Sequence, residues 1–123
     1  MSTVHDCKLL NYQVDFERSR LEINVLDEEE KNVKIIFEDL FTFHFEDQLP
    51  NSILLDIVEE DVHLFASKNK ELLHRSKDYS WPMNYENIKE LVRYIKQNNY
   101  TYYQVQASYG LNGWVLAKRL LIK

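Results

Sequence analysis

His44 and Glu46 are the two side chains of this chain best spaced for chemistry. They lie two residues apart in Phe41-Thr42-Phe43-His44-Phe45-Glu46, and alternate positions on a strand project from one face, so an imidazole and a carboxylate would meet there. Such a pair can pass a proton or begin a metal site, with Asp56 and His63 as the nearest further candidates. The same residues also serve a plainer purpose. The face opposite Phe41, Phe43 and Phe45 of a half-buried strand has to be polar, and nothing in the sequence fixes the distance to Asp56 or His63. Cys7 follows His5 and Asp6, which places a nucleophile beside a base only in chain order, whereas groups that react together converge in space. Ser108 does not form a G-x-S-x-G elbow, because Gln106 stands where the first glycine is needed. With its two glycines at 110 and 113, the chain has neither a phosphate loop nor a dinucleotide fingerprint. The sequence therefore implies no cofactor, names no reaction and leans away from an enzyme.

Both glycines fall in one stretch, Ser108-Tyr109-Gly110-Leu111-Asn112-Gly113-Trp114. Asn-Gly between two strand-like runs signals a tight hairpin turn. That turn accounts for Asn112 and Gly113 but not for Gly110, Tyr109 or Trp114, and a surplus of this kind marks either packing or a contact site on a loop. Tyr and Trp are common interface anchors, so Tyr109, Gly110, Asn112 and Trp114 form one candidate partner surface, with Tyr100, Tyr102 and Tyr103 beside it. Tyr102 and Tyr103 point to opposite faces, and at most one of them is expected in the core. The second candidate surface is the acidic run Asp27-Glu28-Glu29-Glu30, which has nothing to bury and reads as a solvated hairpin tip.

The elements that must position these residues are legible from periodicity. Residues 9–16 read as a strand and Glu17-Arg18-Ser19-Arg20 as a reversal. Leu21, Ile23 and Val25 alternate with polar neighbours, and Val33, Ile35 and Phe37 resume the pattern. Glu38-Asp39 interrupts it, as at a bend or bulge between two strands, before Phe41, Phe43 and Phe45 restart it. Gln48 to Ser52 is a loop. Ile53, Leu55 and Ile57 form a further strand, made central by apolar Leu54 and Val58 on its other face. Asp61 is placed to cap a helix carrying Val62, Phe65, Ala66, Leu72 and Leu73. Trp81-Pro82 lies in a connection. Asn84 is placed to cap a second helix striped by Tyr85, Ile88, Leu91, Val92 and Ile95, ending near Gln97. A strand pair then flanks the glycine stretch. The expected fold is one α+β domain over residues 1–123: a mainly antiparallel sheet of six or seven strands, with two helices between the N-terminal strands and a C-terminal hairpin.

Composition agrees with one domain. The chain has 123 residues, 45% hydrophobic and 28% charged, with no Pro-, Gly- or Ser-rich linker, which is ordinary globular usage. Its net charge is −5, from 20 acids and 15 bases, and the acids concentrate in residues 15–61. Nucleic acid is not an expected partner, because phosphate contacts need a basic face and only Lys118, Arg119 and Lys123 cluster. A lone cysteine without zinc-ligand spacing suits a reducing cytoplasm. Met1-Ser2-Thr3-Val4-His5-Asp6 lacks the basic-then-apolar pattern of a leader, and no apolar run nears the roughly 20 residues that span a bilayer. Neither secretion nor membrane insertion is expected.

Trp81-Pro82, the Tyr102-Tyr103 strand, the stretch Ser108 to Trp114 and the Phe-rich strands followed by Asp56 together resemble the YxiG-like family of small proteins from Bacillus and its relatives. Members tend to be encoded beside contact-dependent toxin genes, so the resemblance implies an immunity protein that binds and neutralises a cognate toxin. It supplies no catalytic residue. Three readings therefore stand side by side. One is a protein-binding module using the acidic tip or the glycine stretch. Another is a small-ligand or metal binder, or an enzyme, with a pocket at His44, Glu46 and Tyr109. The third is a self-associating module.

Overall fold

The computed structural model describes residues 5–123; Met1 to Val4, the start of the segment expected to lack a leader, lie outside them. Six strands, β1 (Cys7–Asp15), β2 (Arg20–Leu26), β3 (Asn32–Glu46), β4 (Ile53–Glu60), β5 (Thr101–Tyr109) and β6 (Asn112–Ile122), close into an antiparallel barrel in the order β1-β2-β3-β6-β5-β4. Between β4 and β5 come the helices α1 (Val62–Lys68), α2 (Lys70–Ser76) and α3 (Ile88–Gln97), with a 3-10 turn at Lys77–Tyr79. The α+β class and the antiparallel sheet hold. The sheet is closed, however, and the described residues contain three α-helices where two are expected. None of those helices is long and apolar enough to cross a membrane.

Closure rests on a short seam. β1 reaches β4 through the pairs Cys7↔Leu54 and Lys8↔Ile53, extended by the Leu9 N–H donating to the Ser52 carbonyl at 2.9 Å. The strand count is settled in β3, which continues through Glu38-Asp39 as one strand. Asp39 bends it with a φ of 53°, and an extra residue sits between Leu40 and Thr42, which face the consecutive Ala117 and Leu116. This bulge reverses the facing of the residues after it. Phe41 turns outward to stack on Tyr100 at 5.1 Å, while Phe43 and Phe45 meet Tyr12 within the barrel core. The expectation that the three phenylalanines share one face is thereby corrected.

Two apolar cores result. Leu21, Ile23, Val25, Ile35, Phe37, Tyr103 and Val115 fill the barrel, whereas Phe65, Leu73, Leu91, Ile95, Tyr102, Trp114 and Leu116 lie between its outer face and the helices. Strands β5 and β6 are therefore covered on both faces. Tyr102 and Tyr103 are both buried, on opposite sides, contrary to the sequence expectation, because the helical layer supplies the second apolar environment. Asp61 caps α1 as expected, accepting from the His63 N–H at 2.8 Å. The single helix expected over residues 62–73 breaks at Asn69, whose side-chain amide donates to the Phe65 carbonyl at 2.9 Å. The cap of α3 is Asn87, not Asn84; its side chain accepts from the Glu90 N–H at 3.0 Å.

Candidate functional site

His44 and Glu46 do share the outer face of β3, with Nε2 and Oε1 3.4 Å apart. They line a polar crevice of about 410 Å³ together with Lys68, Asn69, Lys70, Glu71 and Arg75 from the α1–α2 junction. Lys68 is tied to Glu60 at 2.9 Å, and that hydrogen bond raises its ammonium above the ordinary lysine pKa. The other expected members are not brought here. The Asp56 carboxylate accepts from the neighbouring Ile57 N–H at 2.7 Å, and the His63 ring lies 2.8 Å from Lys96 Nζ. Tyr109 does not line the crevice either, so the expected pocket of His44, Glu46 and Tyr109 is not assembled. Among the described residues no group of three or more His, Cys, Asp or Glu side chains is placed to hold a metal ion, whereas a catalytic zinc keeps three protein ligands.

Cys7 is the first residue of β1 and is fully buried. Burial pushes its thiol pKa up, and the nearby charges of Asp27, Glu28 and Asp6 add to the effect. Both act against the thiolate that a nucleophile requires. The His5 ring meanwhile sits 3.3 Å from its own neighbour Asp6.

In the glycine stretch, the tight turn expected at Asn112-Gly113 is not where the chain reverses. β5 and β6 pair only as far as Val105↔Gly113. Beyond that point the end of β5 follows β4, up to Ile53↔Tyr109, while Asn112 pairs with Glu46 of β3. Gly110 takes the turn conformation, with a φ of 81°. Gly113 is needed for a different reason: a Cβ there would overlap the His44 backbone carbonyl. Asn112 ties loops together, its amide donating to the Asp47 carboxylate and to the Gly110 carbonyl, each at 3.1 Å.

Trp114 is only 3% exposed. Its ring lies 4.9 Å from Phe65, and its Nε1–H donates to Asn69 Oδ1 at 2.9 Å. The helical layer thus removes Trp114 from the candidate partner surface. Tyr109 remains on it, at 52% exposure.

Tyr109 has neighbours that chain order does not reveal. The pairs Tyr109↔Ile53, Ile53↔Lys8 and Lys8↔Leu26 set four residues in a row across β5, β4, β1 and β2. Asp27 follows Leu26 directly, so one row of paired residues leads from Tyr109 to the acidic tip, three strand spacings or about 14 Å along the curve of the closed sheet. The tip is a built turn: the Asp27 carboxylate accepts from the N–H groups of Glu29 and Lys31, each at 2.9 Å, and Lys31 pairs with Glu29 at 3.2 Å. Glu28, Glu29 and Glu30 are exposed.

Next to Ile53, Leu10 and Leu49 line a cleft of about 300 Å³ with Tyr12, Gln48, Ser52 and Leu111. Leu10, Leu49 and Ile53 are 40, 49 and 37% exposed. With Tyr109 they make four of the eight large exposed apolar side chains among the described residues, gathered at one end of the barrel. Ser52 holds that end together from beneath. It is the one buried polar residue among the described residues, and its hydroxyl donates to the Leu49 carbonyl at 2.6 Å while accepting from the Leu111 N–H at 2.9 Å. Sequence reasoning missed Leu10, Leu49 and Ile53 as site residues. Their only signal is being apolar where a loop or a wet strand face allows polar residues, and that signal acquires meaning only when the barrel brings them together.

No protein-family model, curated protein or solved structure matches this chain.

Proposed function

We propose that the chain is a protein-binding module whose partner docks across the face running from the acidic tip Asp27–Glu30, over Lys8 and Ile53, to Tyr109. The observation that carries this reading is the row of paired residues that runs around the barrel wall from an exposed apolar cluster to the acidic tip. Interfaces combine these two ingredients: aromatic and aliphatic side chains at the centre supply affinity, and charges at the rim supply rate and selectivity. The complementary partner surface is apolar at its centre and basic toward the tip. The form of this function that we put forward is the one implied by the YxiG-like resemblance, a cytoplasmic immunity protein that occludes its cognate toxin.

The test is capture from a lysate of the native host, including the products of neighbouring genes, with binding kinetics then measured on the protein retained. One stoichiometric partner is expected. Tyr109→Ala should weaken it by about 2 kcal/mol or more, as for an interface anchor. Reversing charge at Glu28 and Glu29 should slow association and reduce its salt dependence. Trp114→Ala is no control for this surface, since it empties the second core. A partner bound equally by wild type, Tyr109→Ala and the tip variant would overturn the assignment of the face.

A further inference from the structure

The helical layer carries the opposite charge from the barrel. Residues 62–97 hold seven lysines and arginines against four acids, a net of +3, while the rest of the chain holds eight against sixteen, a net of −8. Most cations of the layer also lack an acidic partner among the described residues. Among the described residues only Lys68 of those seven has a carboxylate within 4.0 Å, whereas five of the other eight do: Arg18, Arg20, Lys31, Lys34 and Arg119. Cations without an acidic partner attract anions, and the shape of the surface shows where.

Between α2 and the start of α3 lies a recess of about 620 Å³, walled by Tyr85 and Ile88 and rimmed by Lys70, His74, Arg75 and Lys77. Its size falls within the span of about 300–1,000 Å³ usual for small-molecule sites. Glu71 is the one acid on the rim and Asn87 its neutral end, so three permanent cations face a single carboxylate. Lys77 is held in place: its ammonium donates to the Glu86 carbonyl at 2.7 Å and stands 5.3 Å from the centre of the Tyr85 ring. Ile88 is an exposed apolar residue on the first turn of α3. A ligand that satisfies this recess needs an apolar body to cover Ile88 and reach the edge of the largely buried Tyr85, and an anionic head to meet the cations. Arginine offers a planar fork to carboxylate or phosphate, and lysine a point charge to either.

We infer that this recess binds a small amphipathic anion, its apolar body against Tyr85 and Ile88 and its carboxylate or phosphate head held by Lys70, Arg75 and Lys77. None of these residues belongs to the proposed partner face, so the two assignments stand or fall separately.

The experiment titrates the full chain with octanoate, octyl phosphate, inorganic phosphate and neutral octanol, tracking backbone amide shifts and calorimetric heat. Octanoate or octyl phosphate should saturate a single site, with shifts confined to the residues lining the recess, and the tighter of the two identifies the head group. Inorganic phosphate and octanol should each bind at least tenfold more weakly, since each supplies only half of the ligand. The double variant Lys70→Gln with Arg75→Gln should weaken the anion at least tenfold. Ile88→Asp should remove binding altogether. All three positions are exposed, and the amide spectrum reports that each variant remains folded. Absence of saturation by both amphiphiles at millimolar concentration would overturn the inference. So would shifts that map elsewhere, or inorganic phosphate binding as tightly as octyl phosphate.

Discussion

Ser52→Ala tests whether one hydroxyl holds the proposed partner face together. The substitution removes a donor to the Leu49 carbonyl at 2.6 Å and an acceptor from the Leu111 N–H at 2.9 Å. Leu111 is itself buried, so its N–H is left in the interior without a partner. Water is a poor substitute, because the hydroxyl fills the space into which a Cβ on Gly110 would project, and deleting one oxygen leaves less than the roughly 30 Å³ share of a water molecule. A stranded buried donor costs about 1–3 kcal/mol and the second lost bond about 1 kcal/mol, for an expected loss of about 3 kcal/mol. At roughly 2.1 cal/mol/K per residue, the 123-residue chain unfolds with an entropy of about 0.26 kcal/mol/K, so Tm should fall by about 12 °C. Calorimetry reads the global loss and amide hydrogen exchange reads the local one: the Leu111 amide, held by Ser52 in the wild type, should exchange many times faster. A fall in Tm below about 2 °C with unchanged Leu111 protection would refute the reasoning, since neither the stability nor the loops would then depend on this hydroxyl.

Three other parts of the molecule make equally definite predictions. Gly113→Ala drives a Cβ into the His44 carbonyl, backbone against backbone, and should cost about 2–4 kcal/mol in urea unfolding through overpacking and strain; a wild-type midpoint would show that β3 and β6 do not approach so closely. The buried thiol of Cys7, its pKa raised by burial, should stay inert to an aromatic disulfide reagent until the chain unfolds, and stoichiometric reaction in native buffer would contradict its place in the barrel. Burial also raises the phenol pKa of Tyr102 and Tyr103, so the folded state keeps protons that the unfolded chain releases. Their contribution to stability is then full below the ordinary tyrosine value of about 10 and is lost as pH rises through the folded values. Phenolate absorbance should accordingly show a late fraction that appears together with loss of the circular dichroism of the fold, and titration of every tyrosine in one early step with the fold intact would exclude the burial.

The alternation of Leu21, Ile23 and Val25 with Val33, Ile35 and Phe37 declares two strands joined by an acidic tip, and the structure pairs them as Leu21↔Phe37, Ile23↔Ile35 and Val25↔Val33. The Asp61 cap and the Leu91, Val92 and Ile95 part of the expected stripe are equally legible, whereas Tyr85 precedes α3 and Ile88 is exposed. These are local properties that depend on a few consecutive residues, but local reading has limits: it places the α3 cap at Asn84 where the structure has Asn87, and the turn at Asn112-Gly113 where the chain reverses at Gly110. Closure of the barrel is different, because it hangs on Cys7 and Lys8 finding Leu54 and Ile53 across more than forty positions of chain. That contact decides that one row of paired residues runs from Tyr109 to Leu26 beside the acidic tip. The arrival of the helices on β5 and β6 makes Trp114 and both Tyr102 and Tyr103 core; a continuous apolar run such as Trp114-Val115-Leu116-Ala117 marks a strand covered on both faces, but not which segment covers it. Which faces can be buried is thus written in the sequence of side chains. What comes to bury them is decided by distant segments whose encounter leaves no mark in the local pattern.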